Sequence, residues 1–303
     1  MEVHVKEILS KLPQRKGEFL IEKGLLIFAV ISVLTTLAII FTLFGESIAF
    51  FREVPILEFL TGTQWAPTLT PSSFGVLPLL VGTLMIAVFS SIISLPLGLG
   101  SAIYLSEYAP SKVRKVVKPM LELLAGIPSI VYGFFALTFI TPIIQGLLPQ
   151  TQIFNVASAS IAVGIMTLPM VASLIEDAMM AVPDSVRNGA YALGATKMEV
   201  AVKIIIPSTI SSIAAAFVLA ISRAIGETMI VAIAAGASPV LTFNPLNSIQ
   251  TMTGFMVNLS LGDIEQGSIA FQTVFAVGAL LFLMTLVMNL ASRAIVNHQK
   301  ERN

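Results

Sequence analysis

The segment "VPDSVRNGAYALGATKMEVAVKIIIP", residues 182–207, decides how this chain is put together. It is polar enough for water, yet it stands between two long runs that are not. Pro183, Asp184 and Ser185 read as a helix start, through a fixed proline dihedral and side-chain capping of free N–H groups. Val186, Ala190 and Leu193 then recur at helical spacing on one face, with Arg187, Asn188 and Tyr191 around the rest. Gly194 ends that helix, and a second stretch brings Met198, Val202 and Ile205 to one face before Pro207. The pattern predicts a helix–Gly–helix hairpin over 183–207, lying at a membrane surface and joining two spans.

Composition explains why a membrane is needed. Of 303 residues, 56% are hydrophobic and 11% charged, where a soluble protein carries about 25% charged residues. Such a chain cannot cover itself in polar surface, and it falls in the membrane class. Seventeen Lys plus Arg balance seventeen Asp plus Glu, which gives no reason to expect a nucleic-acid partner. Cysteine is absent, which excludes disulfides and thiolate metal sites. The two histidines, His4 and His298, fall in the polar tails, so a histidine metal centre inside the fold is not expected.

Outward from the hairpin, gaps in charge mark the spans. Residues 1–24 are a mixed-charge tail, and the apolar run 25–44 is too long for the apolar part of a signal peptide and right for a retained membrane helix. Nothing is charged between Glu58 and Glu107, with the apolar part running from about Val76 to Tyr104. Between Glu122 and Glu176 lie 53 uncharged residues, enough for two spans, with the turn expected at Pro142, Pro149 and "QTQIFN" 150–155. A fifth span is expected over about 209–235 and a sixth over 269–290. The fold class is therefore all-α, a polytopic protein of six transmembrane helices. Its parts are a tail 1–24, a first helix 25–44, an outer loop 45–75, a core 76–290 and a tail 291–303.

Lysine and arginine set the orientation. With six spans, both termini share a side with the 105–118 and 176–208 segments, and those four segments hold 15 of the 17 basic residues. The opposite side has only Arg52 against Glu46, Glu53, Glu58, Asp263 and Glu265. Both tails are expected in the cytoplasm. In the outer loop, Phe, Leu and Glu suggest a short interfacial helix, and Trp65 sits either at headgroup level or packed on its own protein.

The hairpin spacing resembles the signature of ABC importer permeases: E-A-A, three residues, Gly, nine residues, Ile, any residue, Leu-Pro. Asn188-Gly189-Ala190 stands at the E-A-A site, Gly194 at the Gly, Ile204 at the Ile, and Ile206-Pro207 at the Leu-Pro. Asn188 replaces the carboxylate, Gly189 an alanine and Ile206 the leucine. The resemblance implies that Arg187, Asn188, Gly189, Ala190, Leu193, Gly194, Ala195, Thr196 and Pro207 couple the chain to an ATP-hydrolysing subunit. "FGVLPLLVGTLMIAVFSSIISLPLGLGSAIYLSEYAP" (74–110), "ELLAGIPSIVYGFFAL" (122–137), "ALGATK" (192–197), "SRAIGETMIVA" (222–232) and "FAVGALLFLMTLVMN" (275–289) are similar to permeases of phosphate ABC importers. The outer loop with Trp65-Ala66-Pro67 and the string "GETM" favour the PstC type over the PstA type.

That family implies a MetI-like, type I importer domain that works with several partners: a second permease of the PstA type, two ATP-binding subunits and an outer phosphate-binding protein. The chain has no G-x-x-x-x-G-K-[ST] phosphate loop. It is expected to be no enzyme and to bind no cofactor, ATP and magnesium belonging to the partner. It would sit in the plasma (inner) membrane.

Arg223 and Glu227 stand inside an otherwise apolar run, where each costs about 2.5–3.5 kcal/mol on insertion scales. Four apart, they are expected on one helix face, and three readings compete. They neutralise each other, they contact a partner permease, or they lie on a translocation path with Thr228. On the path, a guanidinium offers planar donors to a tetrahedral oxyanion, and a carboxylate accepts from a protonated phosphate. Thr83 and Ser129 are weaker candidates for touching a passing anion. Pro96, with Gly98 and Gly100, and Pro128 are expected to kink helices. Rival functions are another oxyanion ABC permease, a proton-coupled secondary anion transporter, and an intramembrane enzyme. The spans lack the Asp or His that the last would want.

Overall fold

The computed structural model describes residues 16–262 and 264–300, so His4, Asp263 and most of the N-terminal tail lie outside the described residues. Among the described residues, six helical spans are long and apolar enough to cross a bilayer. The first, α1 (Lys16–Glu53), runs unbroken well past residue 44, because no proline interrupts it before Pro55. Its apolar side chains are exposed almost all round, as suits a helix wrapped in lipid.

A short helix α2 (Ile56–Thr61) and a two-residue hairpin, β1 (Trp65–Ala66) against β2 (Ser73–Phe74), form the outer loop. Phe50, Phe59, Phe74 and Trp65 meet there edge-to-face. A Cβ on Gly75 would fall 2.2 Å from the Gly62 carbonyl carbon, so two backbone segments touch where only glycines fit. Trp65 is 3% exposed and its ring centroid lies 4.9 Å from that of Phe255. It is packed on its own protein.

The core is the crossing of α3 (Leu77–Ile103) with α7 (Val156–Met180), made close by small residues. A Cβ on Gly98 would meet Val171 at 2.6 Å, and one on Gly164 would meet the Ser90 carbonyl at 3.1 Å. Pro96 lies inside α3, whose end widens into a π-helical turn, Tyr104–Tyr108. The basic helix α4 (Ser111–Ala125) comes next and is parted by Gly126–Pro128 from the third span, which consists of α5 (Ser129–Phe135), a π turn and α6 (Thr141–Leu147). Pro128 is thus a helix boundary (φ −57°, ψ 135°) and not a kink within one helix. The freed Leu124 carbonyl accepts a 2.9 Å bond from the Tyr132 hydroxyl.

The hairpin consists of α8 (Asp184–Ala192) and α9 (Lys197–Val200), with a π turn, Ala201–Ile205, leading into α10 (Ile206–Ile225). Its faces differ from expectation. Val186 and Leu193 are exposed, while Arg187 and Ala190 turn inward, because Arg187 finds acceptors on neighbouring helix ends. Beyond the turn, Met198 and Val202 are exposed, and Val200 and Ile205 are buried. The π turn adds a residue, so positions five apart share a face. Nor does any side chain cap α8, since Pro183 is its N-cap. The cap is instead on α9, where Thr196 and Glu199 form a reciprocal capping box.

Gly194 ends α8 at φ 87°, with Ala195 N–H donating to the Ala190 carbonyl and Gly194 N–H to that of Tyr191. This is a Schellman closure. Nothing lies within 4 Å of a Cβ there, so only the backbone angle demands glycine. Gly194→Ala is expected to destabilise the hairpin by about 1 kcal/mol, read as faster proteolysis at 193–196 with the spans intact.

The chain then crosses by α10, breaks at 226–228, and resumes as α11 (Met229–Ala234). An ordered loop leads to α12 (Met252–Ser260), and α13 (Ile269–Lys300) completes the bundle.

Candidate functional site

Two places gather the residues singled out above. The first is the break in the fifth span. Arg223 and Glu227 do not share a helix face, as expected from their spacing, because α10 stops at Ile225. Gly226 closes it, and Glu227 turns back to serve the next helix. Its Oε1 accepts from the N–H groups of Met229 and Ile230, both at 3.1 Å. That satisfies two donors which a new helix start leaves open.

Glu227 is 9% exposed, and its carbonyl accepts a 2.6 Å bond from the Thr253 hydroxyl, which fastens the break to α12. Arg223 sits in the last turn of α10, exposed, and among the described residues it has no ion-pair partner. Mutual neutralisation of the two is therefore not what the fold does. Thr228 is half-buried and donates to the Gly226 carbonyl at 3.1 Å.

The break that leads into the third span lies beside it. α5 packs on α11, with a Cβ on Gly133 reaching 3.3 Å from the Ile230 Cα. Two half-helices therefore begin side by side inside the bundle. Ser129, the first residue of α5, is half-buried. Thr83 is 1% exposed, donates to the Leu79 carbonyl and accepts from Met252 N–H. It ties α3 to α12 and is closed to any passing anion.

The second place is the hairpin's root. Arg187, expected to face outward, is 9% exposed. Its Nη1 donates to the Val182 carbonyl at 2.5 Å and its Nη2 to that of Met179 at 2.6 Å. Those carbonyls belong to the closing turns of α7, where a cation is favoured. The same guanidinium lies 3.3 Å from Glu107 at the end of the α3 extension. Asn188, Gly189, Leu193, Gly194, Thr196 and Pro207 remain exposed, with Leu193 91% so; Ala190 is buried and Ala195 half-buried.

A neighbouring cluster was not singled out in the sequence. Glu176, 0% exposed near the end of α7, lies 2.6 Å from Arg114 Nε and 2.7 Å from Lys118 Nζ, both on α4. Lys118 also pairs with Asp177. Burial works to lower the Lys118 pKa, but bonds to Asp177 and Glu176 outweigh it and hold it above the ordinary value. The available signal was position: Glu176 closes a 53-residue uncharged stretch whose other end follows the basic run 112–118 and Glu122.

Residues 94–300 match the model of the family described as binding-protein-dependent transport system inner membrane component. This chain belongs to that family. Among relatives of this permease is the probable ABC transporter permease protein YqgH of Bacillus subtilis, 35% identical over 80% of this chain and 79% of that one. The phosphate transport system permease protein PstC of Haemophilus influenzae is 30% identical, over 80% and 82%. PstC 1 of Mycobacterium tuberculosis is 32% identical, over 79% and 81%.

Two solved structures share the permease fold. A chain of a bacterial alginate ABC transporter, crystallised with an alginate-pentasaccharide-bound periplasmic protein, gives a TM-score of 0.63 at 16% identity. It covers 93% of this chain and 96% of that one. The inward-facing MetNI methionine ABC transporter gives 0.56 at 18% identity, over 73% and 95%. The MetI-like fold of six membrane helices is thus established, and the chain is a multi-pass permease of the inner membrane.

Proposed function

We propose that this chain is the PstC-type permease subunit of an ATP-driven importer that brings inorganic phosphate into the cytoplasm. The observation that carries the substrate is the kinship, over about four fifths of both chains, to proteins named phosphate transport system permeases. Arg223 supports it as an exposed guanidinium with no ion-pair partner among the described residues, at the close of α10 just before the start of α11, in a bundle otherwise poor in charge. Such a fork binds two oxygens of a tetrahedral anion. Glu227 keeps the break open with Oε1, while among the described residues Oε2 makes no hydrogen bond. That oxygen is the acceptor for a protonated phosphate, which sulfate near neutral pH does not imitate. Thr228 stands next to it as a further hydroxyl on the path.

The exposed tip of the hairpin, with Leu193 and Met198 outward, is the surface that an ATPase groove would grip. Both tails then lie in the cytoplasm with the hairpin, and the acidic outer side faces the binding protein. ATP and magnesium are handled by the two ATPase subunits, and a PstA-type permease completes the pair.

The test is radiolabelled phosphate uptake into vesicles holding this chain, the second permease, the ATPase and the binding protein. Uptake is expected only with all four and ATP. Uptake by this chain alone, driven by a proton gradient, would replace the proposal with the secondary-transporter reading.

A further inference from the structure

We infer that Glu176 is the joint through which motion of the hairpin reaches the third span, making it a positioning residue for coupling. The inference rests on the transport reading above, and it starts from an imbalance in how α4 is held. None of the fifteen residues of α4 is buried within the protomer. Val116 and Met120 are exposed on its apolar side, so little packing fixes the helix. What fixes it is charge: Arg114 and Lys118, one turn apart, both reach the fully buried Glu176, and Lys118 also reaches Asp177.

The other end of the linkage is equally specific. α8 is fastened by Arg187 to the carbonyls of Met179 and Val182 at the close of α7, and to Glu107 at the end of α3. The hairpin and these two helix ends therefore move as one piece. Glu176 lies on that piece, one turn before Met179. A displacement of the hairpin is handed to α4 through the carboxylate. At its far end α4 has a hinge at Gly126–Pro128, bridged by the Tyr132 hydroxyl. Beyond the hinge, α5 packs on α11, the half-helix that Glu227 caps. The route thus leads from the hairpin to the break beside Arg223.

The experiment uses the assembled complex in vesicles and compares phosphate imported per ATP hydrolysed. In Glu176→Gln, which keeps the shape and removes the charge, that ratio is expected to fall by about tenfold while ATP hydrolysis continues. Lys118→Gln, on the more exposed edge, keeps the Arg114 contact and is expected to show a smaller fall in the same direction. It serves where Glu176→Gln does not assemble.

A second readout needs no substrate. The chain has no cysteine, so spin labels at Val116→Cys on α4 and Met180→Cys on α7 report a single distance. It is expected to stay constant between nucleotide-free and nucleotide-trapped states, and to shift or broaden in Glu176→Gln. The inference is overturned if the labels separate in the unmodified linkage on trapping nucleotide. It is equally overturned if both variants leave ratio and distance unchanged, or if transport and hydrolysis fall in parallel. Should the unmodified complex import no phosphate, the proposed substrate fails, and the label distances still decide the linkage.

Discussion

Arg223→Gln is expected to cut ATP-driven phosphate uptake by about 10- to 150-fold, since hydrogen bonds to a charged group are worth about 1.5–3 kcal/mol and 1.4 kcal/mol is tenfold. The protein should assemble normally, because the Arg223 side chain is exposed and has no ion-pair partner among the described residues. Arg223→Lys keeps the charge and loses the planar fork, so it should fall between. Glu227→Gln separates the two roles of its neighbour. An amide oxygen still accepts from Met229 and Ile230 N–H, so the break keeps its shape while the charge goes. Selectivity for phosphate over sulfate, measured by competition, should then weaken more than uptake does. Full uptake by Arg223→Gln in assembled complex would leave Arg223 a contact with the partner permease.

The second large effect is expected at Arg187. Removing one member of a buried charge pair leaves the other uncompensated, which costs about 3–5 kcal/mol. Arg187→Met strands Glu107, whose side chain is 3% exposed, and opens the Met179 and Val182 carbonyls. The hairpin should detach from the ends of α3 and α7, and the ATPase should no longer co-purify with the chain. Adding Glu107→Leu removes the stranded charge and should recover part of the thermal stability without recovering ATPase coupling. If Arg187→Met alone keeps both thermal stability and ATPase binding, the guanidinium is not the pin described.

The hairpin shows how far the sequence could be read. Helix, glycine and helix were legible in residues 182–207, because a proline at a helix start and a positive-φ glycine leave local marks. Which face turned inward was not legible. Apolar spacing grouped Val186, Ala190 and Leu193 on one face, whereas the structure buries Ala190 alone of the three, and the inward side is set by Arg187 meeting carbonyls and a carboxylate on neighbouring helix ends. The same holds at Arg223 and Glu227. Their i, i+4 spacing implied a shared face only if the helix continued, and Gly226 with a side-chain cap ended it.

By itself, then, the sequence determined the membrane class, the number of spans, the hairpin and the likeness to importer permeases, since these rest on composition, run length and local motifs. Only the tertiary structure decided which charges stand alone and which are matched. Arg223 was left exposed without an ion pair among the described residues, Arg187 was buried against two helix ends, and Glu176 was given two cations from α4. The physical reason is that a charge inside a membrane protein is tolerated according to what faces it. What faces it comes from helices brought together across the bundle, which no local pattern records.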